Sequence, residues 1–222
     1  MSTKLKETTK VFSYILPVWS LWYLGVLLII YIISHIFSNE AMSSFFGFTF
    51  TANRTYMLVV GIIVMIGFLE WAIGMGVSRK TFFKSVVLTG IITMVMITAI
   101  AGIVSFILSF TPFSGDYLFE EDLRYLSETV YVIFHFLSGL LLWAAGLLIS
   151  ASFMRGFWAG MLSVLSGILA ITLLLFNEQL LNYLSTLDGM MVYLGLLLMI
   201  ILIVIYNWIL YAVIKNIPIK IR

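Results

Sequence analysis

The sequence predicts an all-α integral membrane protein that forms one domain of six transmembrane helices. Of its 222 residues, 63% are hydrophobic and only 10% are charged, and the mean hydropathy is +1.15. A soluble domain carries about 25% charged residues. The apolar runs are long and uninterrupted, which favours helices over the alternating pattern of a membrane barrel, because a helix satisfies its backbone polar groups within one segment.

Six apolar stretches are long enough to cross a bilayer, which takes about 20 residues. They lie near residues 18–37, 56–76, 86–110, 129–153, 157–176 and 190–214. These six crossings leave too little chain for a separate soluble domain, so residues 1–222 are expected to form a single transmembrane domain. The first stretch is too long for the apolar core of a signal peptide, and we expect it to remain as a membrane anchor.

The basic residues predict that both termini lie in the cytoplasm, because Lys and Arg accumulate in cytoplasmic loops. The residues placed inside are Lys4, Lys6, Lys10, Arg79, Lys80, Lys84, Arg155, Lys215, Lys220 and Arg222. Only Arg54 and Arg124 are placed outside. The acidic residues sort the other way, with Glu40, Asp116, Glu120, Glu121, Asp122, Glu128, Glu178 and Asp188 outside.

Three segments outside the spans combine charged with apolar residues. Residues 4–16 precede Pro17 and are expected to form an N-terminal interfacial helix that leads into the first span, with a ragged cytoplasmic tail as the alternative. Residues 111–128 and 177–189 are expected to form short surface helices on the outside.

The chain lacks the residue patterns of an active site. It has no cysteine, which excludes disulfides and thiolate metal sites. His35 and His135 are too few for a metal site built on imidazole, and His135 is interpreted as a hydrogen-bonded packing residue. Residues 74–81 resemble a phosphate loop only superficially, because Arg79 stands where that motif needs glycine. Glu120, Glu121 and Arg124 resemble the charged cluster of an intramembrane protease. They have no zinc-binding histidine pair beside them and are interpreted as part of a solvated loop. We expect no catalytic residue, metal or cofactor in this chain.

Glu70 is the one carboxylate within an apolar run. A charge at the bilayer centre costs about 2.5 kcal/mol or more on insertion scales, so its presence needs a reason. One interpretation is an ion pair with a basic residue near the cytoplasmic interface. The other is a functional role, in which Glu70 lines a translocation path or takes part in gating.

The segment between the second and third spans carries the most specific pattern, which reads Gly76, Val77, Ser78, Arg79, Lys80, Thr81, Phe82, Phe83 and Lys84. It resembles the first cytoplasmic loop of ABC-2 type transporter permeases, where a short basic and aromatic helix docks into a groove of the ATPase subunit. In this interpretation Ser78 caps a helix, Arg79 and Lys80 face acidic residues of the ATPase, and Phe82 and Phe83 are apolar anchors. The six spans, the orientation, the interfacial N-terminal segment and the outside helical loop between the last two spans match that family.

The resemblance implies the transmembrane permease subunit of an exporter in the cell membrane, with the bacterial cytoplasmic membrane expected. Two copies of a separate ATPase would bind ATP and Mg²⁺, and a second permease chain would complete a homodimer or heterodimer. The small size is similar to permeases of peptide-toxin and bacteriocin exporters, including phenol-soluble modulin exporters. The substrate would then be an amphipathic or hydrophobic peptide, with no role for nucleic acid. The alternatives are a non-transporting membrane protein, such as an immunity or sensor subunit, and an intramembrane enzyme, for which no reactive constellation is found.

Overall fold

The computed structural model describes residues 3–37, 43–115, 127–187 and 192–217. Within these ranges the chain forms six long helices, and each is long and apolar enough to cross a membrane. The helices are α1 (Thr3–Phe37), α2 (Phe45–Gly74), α3 (Arg79–Leu108), α4 (Glu128–Arg155), α5 (Phe157–Leu187) and α6 (Val192–Lys215). The predicted all-α class and the number of spans are therefore confirmed, and the chain is a multi-pass membrane protein.

Successive helices run in opposite directions, which brings most of the described basic residues to one end of the bundle. There, the guanidinium of Arg79 at the start of α3 donates to the carbonyl of Lys215 at the end of α6 over 2.6 Å. We call this the basic end; it carries Lys10, Arg79, Lys80, Lys84, Arg155 and Lys215. The other end is called the opposite end. The predicted orientation makes the basic end cytoplasmic.

The α4 helix forms the centre of the bundle and contacts α2, α3, α5 and α6. In an 18-residue stretch of α4, 72% of the residues are buried, against 22% to 39% in the other five helices. Its buried face is rich in small residues, which allow the neighbouring helices to approach closely. These are Ser138, Gly139, Ala144, Ala145, Gly146, Ser150, Ala151 and Ser152. The α1 helix packs on α3 and α2 at the edge.

Glycines of α2 and α4 bring the backbones of these two helices into close contact. A Cβ atom added at Gly61 would lie 2.7 Å from the carbonyl oxygen of Trp143, and one added at Gly146 would collide with the carbonyl of Leu58. The hydroxyl of Ser150 donates to the carbonyl of Ile62 over 2.9 Å in the same interface. Backbone contact and an interhelical hydrogen bond hold this part of α2 against α4, and the rings of Phe46 and Phe50 pack on α4 nearer the start of α2.

The N-terminal segment is helical and leads into the first span as expected, and the two form a single helix. The α1 helix is continuous from Thr3 to Phe37 with Pro17 inside it. Its first turns pack on the bundle, where Phe12 is 1% exposed and its ring lies 5.3 Å from that of Phe68. Proline weakens a helix by removing one hydrogen bond, and here tertiary packing on both sides of Pro17 keeps the helix whole.

Two predicted boundaries also differ from the structure. The α2 helix begins at Phe45 instead of near residue 56, and α5 continues to Leu187, so residues 177–187 extend α5 instead of forming a separate surface helix. Both extensions carry polar side chains that face the bundle, which lowers the local hydropathy without ending the helix. Of the predicted surface helix at 111–128, residues 111–115 form turns, residue 128 begins α4, and 116–126 lie outside the described residues. Glu40, Asp188, Lys220 and Arg222 also lie outside them.

Candidate functional site

A chain of hydrogen bonds joins four helices inside the bundle. The hydroxyl of Tyr23 on α1 donates to the Oδ1 atom of Asn53 on α2 over 3.2 Å. The Nδ2 atom of Asn53 lies 3.2 Å from Nε2 of His135 on α4. The Nδ1 atom of His135 lies 3.2 Å from the hydroxyl of Thr98 on α3. We call these four residues the polar chain.

The polar chain defines which nitrogen of His135 carries a proton. Since Oδ1 of Asn53 accepts from Tyr23, its Nδ2 group points at His135 and donates to Nε2. The Nδ1 atom then carries the proton and donates to Thr98. Both nitrogens are satisfied although His135 is 0% exposed, which confirms the interpretation of His135 as a hydrogen-bonded packing residue.

A second polar contact lies beside the polar chain on α1 and α2. The rings of Tyr23 and Tyr56 stack at 4.0 Å with an interplanar angle of 11°. The Tyr56 hydroxyl lies 3.0 Å from the hydroxyl of Ser20, which is fully buried. The α1 helix is therefore attached to α2 by two tyrosines and two hydroxyl contacts, which compensates for the few other contacts between these helices.

The residue after Asn53 forms the only ion pair among the described residues. The guanidinium of Arg54 on α2 binds the carboxylate of Glu178 on α5, and the two side chains are 9% and 17% exposed. Arg54 also donates to the Thr51 hydroxyl over 3.1 Å and lies 4.2 Å above the ring of Phe50. A buried charge inside a membrane helix needs such partners, because an unpaired one is costly.

The polar chain and the ion pair lie at similar depth in the bundle. At about 1.5 Å of rise per residue, Asn53 and His135 lie about 10–12 Å from the first residues of α2 and α4. The α2 helix has 30 residues, or about 45 Å, and extends beyond a hydrocarbon layer of about 30 Å. These polar groups therefore lie in the halves of α2 and α4 nearer the opposite end.

Chemically, this arrangement can position helices and exchange hydrogen bonds, and it offers no metal site. The described residues contain no group of three or more His, Cys, Asp or Glu side chains that could hold an ion. Neutral side chains at hydrogen-bond distance allow local rearrangement, whereas separating Arg54 from Glu178 would expose two charges to lipid. The ion pair is therefore the contact that most strongly resists separation of α2 from α5.

At the basic end, the structure places the predicted docking segment in a turn and in the first turns of α3. Gly76 adopts a φ of 73°, which glycine accepts without strain. Val77 follows it, and the Ser78 side chain accepts from the amide of Thr81 over 3.2 Å. The expected capping role of Ser78 is confirmed. The helix that it caps is α3 itself, and not a short separate helix.

The expectation that Phe82 and Phe83 are exposed anchors is wrong. Phe82 is 0% exposed, and its ring lies 5.9 Å from that of Phe12 on α1. Phe83 is half-buried and lies 5.2 Å from Tyr211 on α6. Both aromatic rings pack on other helices of the same chain, because a hydrophobic side chain at the start of a membrane helix already has neighbouring helices to contact. Lys80 and Lys84 remain exposed.

Glu70 forms no ion pair with any described residue, so the expected pairing with a basic side chain is not found in this part of the chain. It is exposed on the outer surface of α2. It lies four residues before Gly74, about 6 Å from the end of α2 at the basic end. This position is shallow enough for the carboxylate to reach the membrane interface.

Sequence reasoning placed Arg54 and Glu178 outside the spans and did not single out Asn53, because each interrupts an apolar run; the structure places all three within the long helices α2 and α5. One available signal was spacing, since Phe46, Phe50 and Asn53 lie on one helical face together with Thr49. No pattern in the sequence pairs Arg54 with Glu178, which lie 124 positions apart. The chain matches no protein-family model, no curated protein and no solved structure.

Proposed function

We propose that this chain is the transmembrane permease subunit of an ATP-driven exporter, powered by a separate ATPase. The observation that carries the proposal is the construction of the α3 start. Lys80 and Lys84 are exposed there, while Arg79, Phe82 and Phe83 attach the same helical turns to α6 and α1. A partner that binds the lysines would thereby push on three transmembrane helices at once.

The α3 helix links this surface to the polar chain. Arg79 and Thr98 belong to one uninterrupted helix, and about 1.5 Å of rise per residue separates them by about 28 Å. Thr98 contacts His135, which contacts Asn53. Movement of α3 along its axis would therefore strain the contact between Thr98 and His135. We propose that this contact changes between the inward-facing and outward-facing states.

The proposal requires further components. Two ATPase chains would bind ATP and Mg²⁺, and a second permease chain, identical or different, would complete the path. The expected substrate is an amphipathic or hydrophobic peptide, and the narrower assignment is the export of a peptide toxin. Glu70, exposed near the basic end, would face either this second chain or the substrate.

Photocrosslinking in native membranes tests the ATPase partner. A photoreactive residue at Lys80 or Lys84 should crosslink to a protein with a nucleotide-binding site. The double variant Lys80→Glu and Lys84→Glu should retain at least about fivefold less of that protein on purification, because it reverses two charges that each contribute up to about 1 kcal/mol.

Arg155→Glu is the matched control, because Arg155 is also basic, exposed and at the basic end but is the last residue of α4 and not part of α3. It should retain the partner. If Lys80 and Lys84 crosslink only to lipid or to proteins without a nucleotide site, the exporter proposal fails.

The second candidate is a non-transporting membrane protein, such as an immunity or sensor subunit. The observation that favours it is the packing of α4, whose buried face is covered by four helices. Such a protein would need no ATPase, and its function would survive the double lysine variant.

A further inference from the structure

A pocket of about 440 Å³ lies at the opposite end of the bundle, between α1, α2, α3 and α4. It is separate from the polar chain and from the α3 start. Its size falls in the lower part of the range for small-molecule sites, roughly 300–1,000 Å³. This size suits one alkyl chain better than two.

The lining of the pocket is mostly apolar, and the one charged group among the described lining residues lies at the helix ends. The deeper part of the lining includes Gly102, Ser105 and Val132. Gly102 lies six residues before Leu108, the last residue of α3, or about 9 Å below the helix end. The mouth includes Ser109, just after α3, and Glu128, the first residue of α4. A molecule with an apolar tail and a charged head matches a mostly apolar pocket whose one charge lies at the mouth.

Glu128 decides the charge of the head group. It is the one charged residue among the described residues that line the pocket. It is exposed and forms no ion pair with any described residue. Ser109 lies at the same mouth and brings a hydroxyl rather than a charge. A carboxylate at the membrane interface attracts a cation more strongly than it would in bulk water, because the low-dielectric layer beside it reduces screening.

We propose that this pocket binds a single-chain cationic amphiphile, with the alkyl chain between Gly102 and Val132 and the cationic head at Glu128. Glycine at position 102 leaves the space for the chain, since a Cβ atom there would have no neighbour within 4 Å. The proposal goes beyond the transport function, because binding requires neither an ATPase nor a second permease chain.

Photolabelling of the full-length protein in lipid nanodiscs tests it. The probe is dodecyltrimethylammonium with a photoreactive diazirine in the tail, competed by unlabelled dodecyltrimethylammonium. Labelling should saturate and should map to the end of α3. Gly102→Leu should reduce it at least tenfold, because the leucine side chain would occupy the pocket. Val132→Trp fills the pocket from the other wall and provides the same test if Gly102→Leu does not fold.

Gly67→Leu is the matched control, since Gly67 is also a helical glycine with no neighbour for a Cβ atom but lies on α2 away from the pocket. It should label as the wild type does. Glu128→Gln should weaken competition by the cation at least threefold and leave competition by uncharged dodecyl maltoside unchanged.

Labelling that does not saturate, or that is equal in wild type and both pocket-filling variants, would overturn the pocket as a binding site. Equal competition by both amphiphiles in the wild type would overturn the preference for a cation. Neither result depends on whether an ATPase binds at Lys80 and Lys84, so this proposal and the exporter proposal fail separately.

Discussion

Arg54 of α2 and Glu178 of α5 form an ion pair within the membrane-spanning part of the bundle, although 124 positions separate them in the chain. The pair adds a charged contact between α2 and α5, both of which pack on the central helix α4. Because lipid does not solvate either charge, each residue depends on the other. The first prediction follows from this dependence.

Removing one partner should destabilise the protein more than removing both. Breaking a buried pair from one side costs about 3–5 kcal/mol in soluble proteins, because one charge stays buried alone. We expect Arg54→Gln or Glu178→Gln to lower the melting temperature of the purified protein in detergent, and the double variant to recover part of the loss. Thermal unfolding of all four proteins gives the coupling energy, and additive effects would contradict the ion pair.

The polar chain predicts the tautomer of His135. Nitrogen NMR of selectively labelled protein should show a protonated Nδ1 and an unprotonated Nε2, because Nε2 accepts from Asn53. Asn53→Leu removes that donor and should shift the Nε2 resonance and destabilise the fold by about 1–2 kcal/mol. An Nε2-protonated ring in the wild type would contradict the hydrogen-bond order described above.

Close contact of α2 and α4 predicts opposite effects for two glycines on the same helix. Gly61→Ala should destabilise the bundle, because its Cβ atom would lie 2.7 Å from the Trp143 carbonyl oxygen. Gly67→Ala should be neutral or stabilising by up to about 1 kcal/mol, because it improves helix propensity in open space. Thermal unfolding of both variants measures the difference, and equal effects would show that α2 and α4 are farther apart.

Phe82→Ala should reduce the stability of the fold, in addition to any effect on binding of a partner protein. The ring is 0% exposed. Because lipid is about as apolar as the protein interior, burying the ring gains little from the hydrophobic effect, and we expect a loss of stability of about 1–2 kcal/mol from lost packing. Phe157→Ala is the control, because Phe157 lies at the same end and is 65% exposed. If Phe82→Ala melts as the wild type does, the ring does not contribute to the core.

Cysteine labelling checks the orientation, and the natural chain has no cysteine to interfere. Ser114 and Ser78 are both exposed but lie at opposite ends of the bundle. A membrane-impermeant maleimide should label Ser114→Cys in intact cells and Ser78→Cys only after the cells are opened. The reverse pattern would place the basic end outside.

Hydropathy was sufficient to predict the six helices, because each contains an apolar stretch too long to be buried in the core of a soluble domain. It could not locate the start of α2, because Thr49 and Asn53 lower the local hydropathy while their side chains face the bundle interior. Nor could it assign Phe82, since a ring next to basic residues at a membrane interface is compatible with exposure or burial. The pairing of Arg54 with Glu178 depends on tertiary structure alone.

The central position of α4 has a consequence for synthesis of the chain. Two of its four packing partners, α5 and α6, follow it in sequence and emerge from the ribosome later. Until they arrive, part of the buried face of α4, which carries His135 and several serines among its apolar side chains, has no helix to pack on. A nascent chain interrupted before Val192 would lack α6 and leave part of α4 uncovered. Membrane quality-control proteases could recognise such an incomplete chain by this uncovered face.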